Sequence, residues 1–269
     1  MKIFKSFNSL NKEINFIENI GFVPTMGTLH EGHFSLIKAA RSKSKKILVS
    51  IFINPTQFND NKDYREYPKN IKRDILILKK LSVDYLFLPS KKEIYKKGIK
   101  QKINLLKKDK VLCAKFRIGH FEGVLAVVKR LLENINSKYM FLGEKDFQQI
   151  YLIKKYLINR INTKIISCKT IRNKNLLPLS SRNILLKKKS LKRSEQISKI
   201  LFNFRRSIVK NFKNINLLNY YKSKILILCD KVEYLEIRNK NNLSKKINKK
   251  NFRIFVAYKQ NKIRLIDNI

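Results

Sequence analysis

The sequence predicts an α/β protein in which a parallel sheet wrapped by helices is followed by a smaller α+β domain. Short apolar runs alternate with amphipathic stretches through the first two thirds of the chain, the pattern of strands buried beneath crossover helices. After about Asn183 the texture changes to long Lys/Leu/Ile helical stretches, followed by two strand-like segments with alternating faces, 232–238 and 252–258. A chain of 269 residues, 43% of them apolar, also buries enough surface to fold without a metal or disulfide framework. Divided by roughly 150 residues per domain, the length suggests two domains. The change of texture places the cut near 180, giving 1–180 and 181–269.

Along the chain, Asn8 or Ser9 is expected to cap a helix running through Ile20, with Gly21 ending it. A strand into Phe22-Val23 then delivers Pro24-Thr25-Met26-Gly27, and a helix over 33–41 follows the period of Phe34, Ile37 and Ala40. The run ILVSIFI, 47–53, reads as a buried strand stopped by Asn54-Pro55. Helix over 70–81, strand over 84–88, helix over 121–134, strand over 139–142, helix over 147–158 and strand over 164–168 complete the first domain.

The charge balance is unusual: 61 Lys+Arg against 19 Asp+Glu leaves +42. Such an excess invites a polyanion-binding reading. Yet the lysines are scattered (Lys43, Lys45, Lys46; Lys91, Lys92, Lys96, Lys97; 187–189; Lys245, Lys246, Lys249, Lys250) and are accompanied everywhere by Asn and Ile. Those residue types share AT-rich codons, so base composition accounts for the charge and no specific nucleic-acid partner is expected. Three distant cysteines, Cys113, Cys168 and Cys229, form no C-x-x-C pair and suit a reducing compartment. The N-terminus lacks a signal-peptide core, and no run approaches the roughly 18 apolar residues of a membrane span. A soluble, cytoplasmic protein is expected.

The motif with the most chemistry is Met26-Gly27-Thr28-Leu29-His30-Glu31-Gly32-His33, placed between a strand and a helix. Free N–H groups at a helix N-terminus favour an anion, glycines permit close approach, and two imidazoles three residues apart can face one polyphosphate. His30 and His33 would donate to oxygens that gain charge in the transition state. Capping is the plainer role for either histidine alone. A zinc site of His30, His33 and His120 is disfavoured by spacing, because the helical zinc pair stands four apart.

Asn54 and Gln57, after the second strand, emerge at the same sheet edge and could orient a small polar substrate; a plain turn is the alternative. Gly143-Glu144-Lys145-Asp146 repeats the strand-to-helix placement, with Lys145 a phosphate cation, Asp146 its partner or part of a magnesium shell, and Gln149 close behind. Leu179-Ser180-Ser181-Arg182-Asn183 could clamp an anion, or simply cap a helix.

Taken together, PTMGTLHEGH (24–33), VSIFINPTQF (49–58), RIGHFEGV (117–124), FLGEKDFQQ (141–149) and LSSRN (179–183) resemble the pantothenate synthetase family, the pantoate:β-alanine ligases, within the HxGH nucleotidyltransferase superfamily. The tail Arg264-Leu265-Ile266-Asp267-Asn268 is also similar. The resemblance implies a Rossmann-like domain with a small C-terminal lid domain, in a homodimer. ATP, with Mg2+ carried on its phosphates and no protein metal site, would activate pantoate as pantoyl adenylate. The amine of β-alanine would then displace AMP. By position, Met26 to His33, Gly143 to Asp146, Ile171 and Leu179 to Arg182 would line the ATP site. His33 would be the principal catalytic group, helped by His30, Lys145, Ser180, Ser181 and Arg182. Gln57, Gln149 and Asn54 would hold pantoate and β-alanine.

Ile118, Cys113-Ala114, Leu176 and Pro178 depart from the family pattern without removing a proposed catalytic group. Another HxGH nucleotidyltransferase acting on a different small acid is the alternative. A tRNA-directed enzyme would need a larger second domain, and a nucleic-acid binder would leave all five blocks unexplained.

Overall fold

Six strands of the first unit pair in parallel, in the order β1-β4-β3-β2-β5-β6. They are β1 (Lys2–Phe4), β2 (Ile20–Thr25), β3 (Lys46–Ile51), β4 (Tyr85–Phe87), β5 (Tyr139–Gly143) and β6 (Lys164–Cys168). The computed structural model describes residues 1–95, 103–157 and 162–269. Lys96, Lys97 and the expected helix end at Ile158 lie outside the described residues. The chain divides into Met1–Leu106 with Arg117–Thr170, and Lys107–Phe116 with Ile171–Ile269. The cut thus falls ten residues before the expected 180, and a short segment from the middle of the chain belongs to the second unit.

Helices connect the strands: α1 (Phe7–Ile14), α2 (Glu31–Arg41), α3 (Asn61–Glu66), α4 (Ile71–Lys80), α5 (Lys91–Tyr95), α6 (Cys113–Phe116), α7 (His120–Asn134) and α8 (Phe147–Leu157). Because helices cover the sheet, β2 and β3 are apolar almost continuously. Val23, Ile47, Val49, Leu86 and Phe141 pack with Leu36, Ile37 and Ala40 of α2 and Leu78 of α4.

The first helix corrects the sequence expectation. Ser6, not Asn8 or Ser9, caps it by accepting from Ser9 N, and it stops at Ile14. Ile20 and Gly21 instead pair with Lys46 and Ile47 in the sheet. At Gly21 a Cβ would stand 2.5 Å from Ser44 Oγ, so this glycine permits close packing rather than ending a helix.

The second unit contains α9 (Lys188–Lys210) and α10 (Leu218–Leu226) against an antiparallel sheet of β7 (Lys231–Asn239), β8 (Phe252–Gln260) and β9 (Ile263–Asn268). Ile197, Leu201, Phe204 and Ile208 of α9 meet Ile225, Leu235, Ile254, Val256 and Tyr258 in its core. Strand β9, read from sequence only as a tail motif, closes a two-residue hairpin through Asn261 and Lys262, both at positive φ. That geometry is the one favoured between twisted antiparallel strands.

Candidate active site

The first unit's order fixes where its chemistry collects. From β2 the chain steps through β3 to β4, whereas β5 and β6 continue on the other side of β2. The reversal between β2 and β5 is a topological switch point, and ligands of open α/β sheets bind beyond the carboxyl ends of strands there. Residues 26–33 follow β2, and residues 144–146, a 3-10 turn, follow β5.

The histidines form a reciprocal cap. His30 is the N-cap of α2 and its Nδ1 accepts from Gly32 N at 3.1 Å, while His33 Nδ1 accepts from His30 N at 3.3 Å. Their rings lie 4.2 Å apart. A neutral imidazole whose Nδ1 accepts must carry its proton on Nε2, so both rings are left as Nε2–H donors. Burial, then the neighbouring Lys145, holds His30 down to about 4; burial, then His30 and Lys145, holds His33 down to about 3. Both rings are therefore uncharged at neutral pH. The cap uses one nitrogen of each ring and leaves an N–H on the other.

The expected anion-binding backbone is otherwise employed. Thr28 N and Leu29 N each donate to Asp74 at 2.8 Å, Gly27 N donates to Thr25 Oγ1, and His33 N and Phe34 N donate to His30 O. These amides have internal acceptors, which corrects the reading of the helix start as a row of free N–H groups. Side chains must carry more of the recognition.

After β3, Asn54 is 1% exposed, and its Oδ1 accepts from Thr56 N, Thr56 Oγ1 and Tyr95 Oη while Nδ2 donates to Gly123 O and Gln57 Oε1. So committed, Asn54 braces the loop instead of presenting a free amide. Gln57 Nε2 lies 2.8 Å from Met26 Sδ, which brings the after-β3 loop to the histidine motif. The Gln57 carbonyl accepts from Arg117 and from His120 Nδ1 at 2.6 Å, and Arg117 also donates to His120 Nε2. With both ring nitrogens so engaged, His120 supports Gln57, and a three-histidine zinc set does not form. At Gly123 a Cβ would stand 2.4 Å from Thr56 O, so α7 packs its backbone on this loop.

Lys145 Nζ lies 3.2 Å from Asp146 Oδ1, and its charge reaches both histidines. Gln149 occupies the first turn of α8. A neutral histidine pair and a cation beyond the carboxyl ends of β2 and β5 suit transfer at a phosphate.

The chain matches the family model for pantoate-β-alanine ligase over residues 2–269. It belongs to that family. Among relatives, the pantothenate synthetase of Francisella tularensis subsp. mediasiatica is 42% identical over 269 residues, covering 98% of this chain and 94% of the relative. The pantothenate synthetase of Thermus thermophilus superposes with a TM-score of 0.91 at 28% identity, over 100% of this chain and 99% of that one. The pantoate-β-alanine ligase of Francisella tularensis, solved in complex with a β,γ-ATP compound and β-alanine, gives 0.87 at 41% identity, over 100% and 97%. The chain is accordingly an AMP-forming ligase with a Rossmann-like sheet domain and a smaller α+β domain.

In the ligase's second unit, Ile171 and Leu179 are joined by a hydrogen bond from Leu179 N to Ile171 O at 3.0 Å, beside the bridge between Arg172 and Pro178. Arg172 holds Asp267 through two 2.7 Å bonds, tying this ribbon to β9. Ser180 caps the 3-10 turn Ser181–Leu185 by accepting from Arg182 N, and Ser181 is buried. Two of the family departures have visible consequences. Leu176 takes φ 70, where a glycine is unstrained, and Cys113 Sγ lies against Tyr234 Oη and Arg264.

Asp74, which the sequence reading does not single out, accepts from two amides of the histidine loop. Its signal was a carboxylate four residues before Leu78 on the apolar face of an amphipathic helix, where an acid is rarely buried without donors.

The histidines also make acid stability testable. Unfolded, each binds its proton near 6.5; folded, at about 4 and about 3. The unfolded chain therefore holds more protons within this window, and stability is complete above it and declines as pH falls through it. The urea midpoint is expected to drop between about pH 7 and about pH 5, ahead of most carboxylate titration. A His30→Gln/His33→Gln double variant should flatten that decline, and an unchanged slope would show that the rings are not buried neutral.

Proposed function

We propose that His30, His33 and Lys145 stabilise charge on phosphorus-bound oxygens during the first half of the ligase reaction. The overall reaction is the ATP-dependent joining of pantoate to β-alanine through pantoyl adenylate. A carboxylate is a poor electrophile, and an amine cannot expel oxide from it, so a leaving group must be installed first. The pantoate carboxylate oxygen attacks the α-phosphorus of ATP, and the bond to the bridging oxygen breaks with its electron pair passing to pyrophosphate. The β-alanine nitrogen then attacks the acyl carbon, AMP departs, and the nitrogen loses a proton.

The observation that carries these roles is the shared commitment of both Nδ1 atoms to the cap. It leaves the proton of each neutral ring on Nε2, as a donor, without charging either ring. Preorganised neutral donors stabilise developing negative charge and need no reorganisation during the step. Lys145 supplies the positive charge that the histidines lack. Gln57 and Gln149 hold the hydroxy acid through uncharged amides, with Met26 at one wall and Asn54 as brace. Glu31 and Gly32 open α2 beside the nucleotide, and Gly143, Glu144 and Asp146 shape the approach to Lys145. In the second unit, Ile171 serves adenine, and Leu179, Ser180, Ser181 and Arg182 serve the phosphates. Mg2+ enters carried on the ATP phosphate oxygens.

The ligase works as a homodimer in the cytoplasm under this reading. Among the described residues no helix is long and apolar enough to cross a membrane, and all three cysteines are free, as a reducing compartment requires.

Labelled pyrophosphate is expected to exchange into ATP when pantoate and Mg2+ are present and β-alanine is absent. Exchange that required β-alanine would contradict adenylation as a separate first step. Exchange driven equally by a proteinogenic amino acid would favour another HxGH enzyme.

A further inference from the structure

We infer that Asp74 is a positioning residue for adenylation, acting through the loop that carries His30 and His33; this rests on the reading of those histidines as phosphate donors. Residues 27 and 28 turn out of β2 with consecutive positive φ values, 80° and 53°. Such a turn points successive amides into one concavity, ordinarily an anion site. Here the anion is internal. Asp74 Oδ2 accepts from Thr28 N and Oδ1 from Leu29 N, both at 2.8 Å, and the side chain is 1% exposed.

The fit leaves little slack. A Cβ on residue 27 would stand 3.0 Å from Asp74 Oδ2, so glycine serves both the left-handed backbone and the carboxylate's approach. Thr28 Oγ1 donates to Pro68 O at 2.6 Å, and Asn70 caps α4 by accepting from Arg73 N. The carboxylate is thus mounted on a capped helix. His30 follows Leu29 directly, and its ring serves as the N-cap of α2. Fixing residues 28 and 29 therefore fixes the ring from which the His33 cap bond also hangs. Asp74 contacts neither substrate nor reacting atoms in this account; it aims the donors.

Asp74→Asn is nearly isosteric but removes the charge and turns an N–H group toward one of two N–H donors, so one bond must be lost. Displacing a catalytic group by about an ångström costs on the order of a hundredfold in rate. The kcat for pantoate-dependent pyrophosphate exchange is expected to fall on the order of tenfold to a hundredfold, with little change in KM for pantoate. The Nε2 resonances of His30 and His33 should shift. Leu78→Ala, on the same helix and fully buried, supplies a destabilised control that keeps the carboxylate and should retain near-native kcat below its melting temperature. If Asp74→Asn does not fold, Asp74→Glu, which keeps the charge on a longer arm, is measured with the same expectation. Equal kcat losses in the Asp74 and Leu78 variants, or unmoved histidine resonances, would overturn the inference. Should His33→Ala itself retain native kinetics, the underlying reading of the histidines fails; a slow His33→Ala beside a native-like Asp74 variant rejects the positioning role alone.

Discussion

Replacing His33 by alanine is expected to lower kcat by on the order of a hundredfold to a thousandfold while the protein remains folded. The lost group is a preorganised Nε2–H donor, and removal of one such donor from a transition-state oxygen typically costs that much in rate. The structural cost is smaller. His33 Nδ1 accepts from His30 N, and loss of a helix-capping acceptor costs about 1 kcal/mol. His33→Asn separates the two effects, because its amide oxygen can replace the Nδ1 acceptor while its N–H falls short of the Nε2 position. Asparagine should restore much of the stability and little of the rate. If it restored the rate, the ring's contribution would be the cap. With His33 held down to about 3, the wild-type rate should also show no titration of this residue near pH 6, as a general base of ordinary basicity would.

Short strands between helices were legible in the sequence: 164–168 matches β6 throughout, and 47–53 overran β3 by two residues at its end. Single-chain patterning failed where a tertiary partner decided the outcome. Ile20 fits a helical period equally well, but pairing with Lys46 places it in β2. The hairpin before β9 lacks the Asn-Gly signal, because Lys262 takes the left-handed position that glycine usually fills. Segment 107–116 joins the second unit although it lies between parts of the first, a long-range choice that composition does not encode. At the candidate site, residue types and their strand-end placement were readable, whereas hydrogen-bond allegiance was not. The amides of Thr28 and Leu29 looked available to phosphate until Asp74, 45 residues beyond Leu29, occupied them. Asn54 looked like a substrate amide until Tyr95, Thr56 and Gly123 accounted for it.

Lys145→Ala should produce the second large loss, again on the order of a hundredfold or more in pyrophosphate exchange, because Lys145 is the cation that neutral histidines cannot replace. Its ion pair with Asp146 spans 3.2 Å at a partly exposed position, and exposed pairs contribute only about 0 to 1 kcal/mol, so folding should be little affected. A second readout is independent of turnover. Burial is the main reason His30 is held down to about 4, and the charge of Lys145 is the next, opposed by Asp146. Removing the lysine takes away a repulsion against imidazolium, so the His30 pKa must rise. Burial remains, so it should stay below the ordinary 6.5. Lys145→Arg keeps the charge, and so should leave His30 near its native value even if the bulkier guanidinium slows the reaction. NMR titration of the two variants checks the sign. A His30 pKa that does not move in Lys145→Ala would mean that the ammonium does not face the histidine pair in solution, and a rate loss in that variant would then need a cause other than charge stabilisation beside the phosphate.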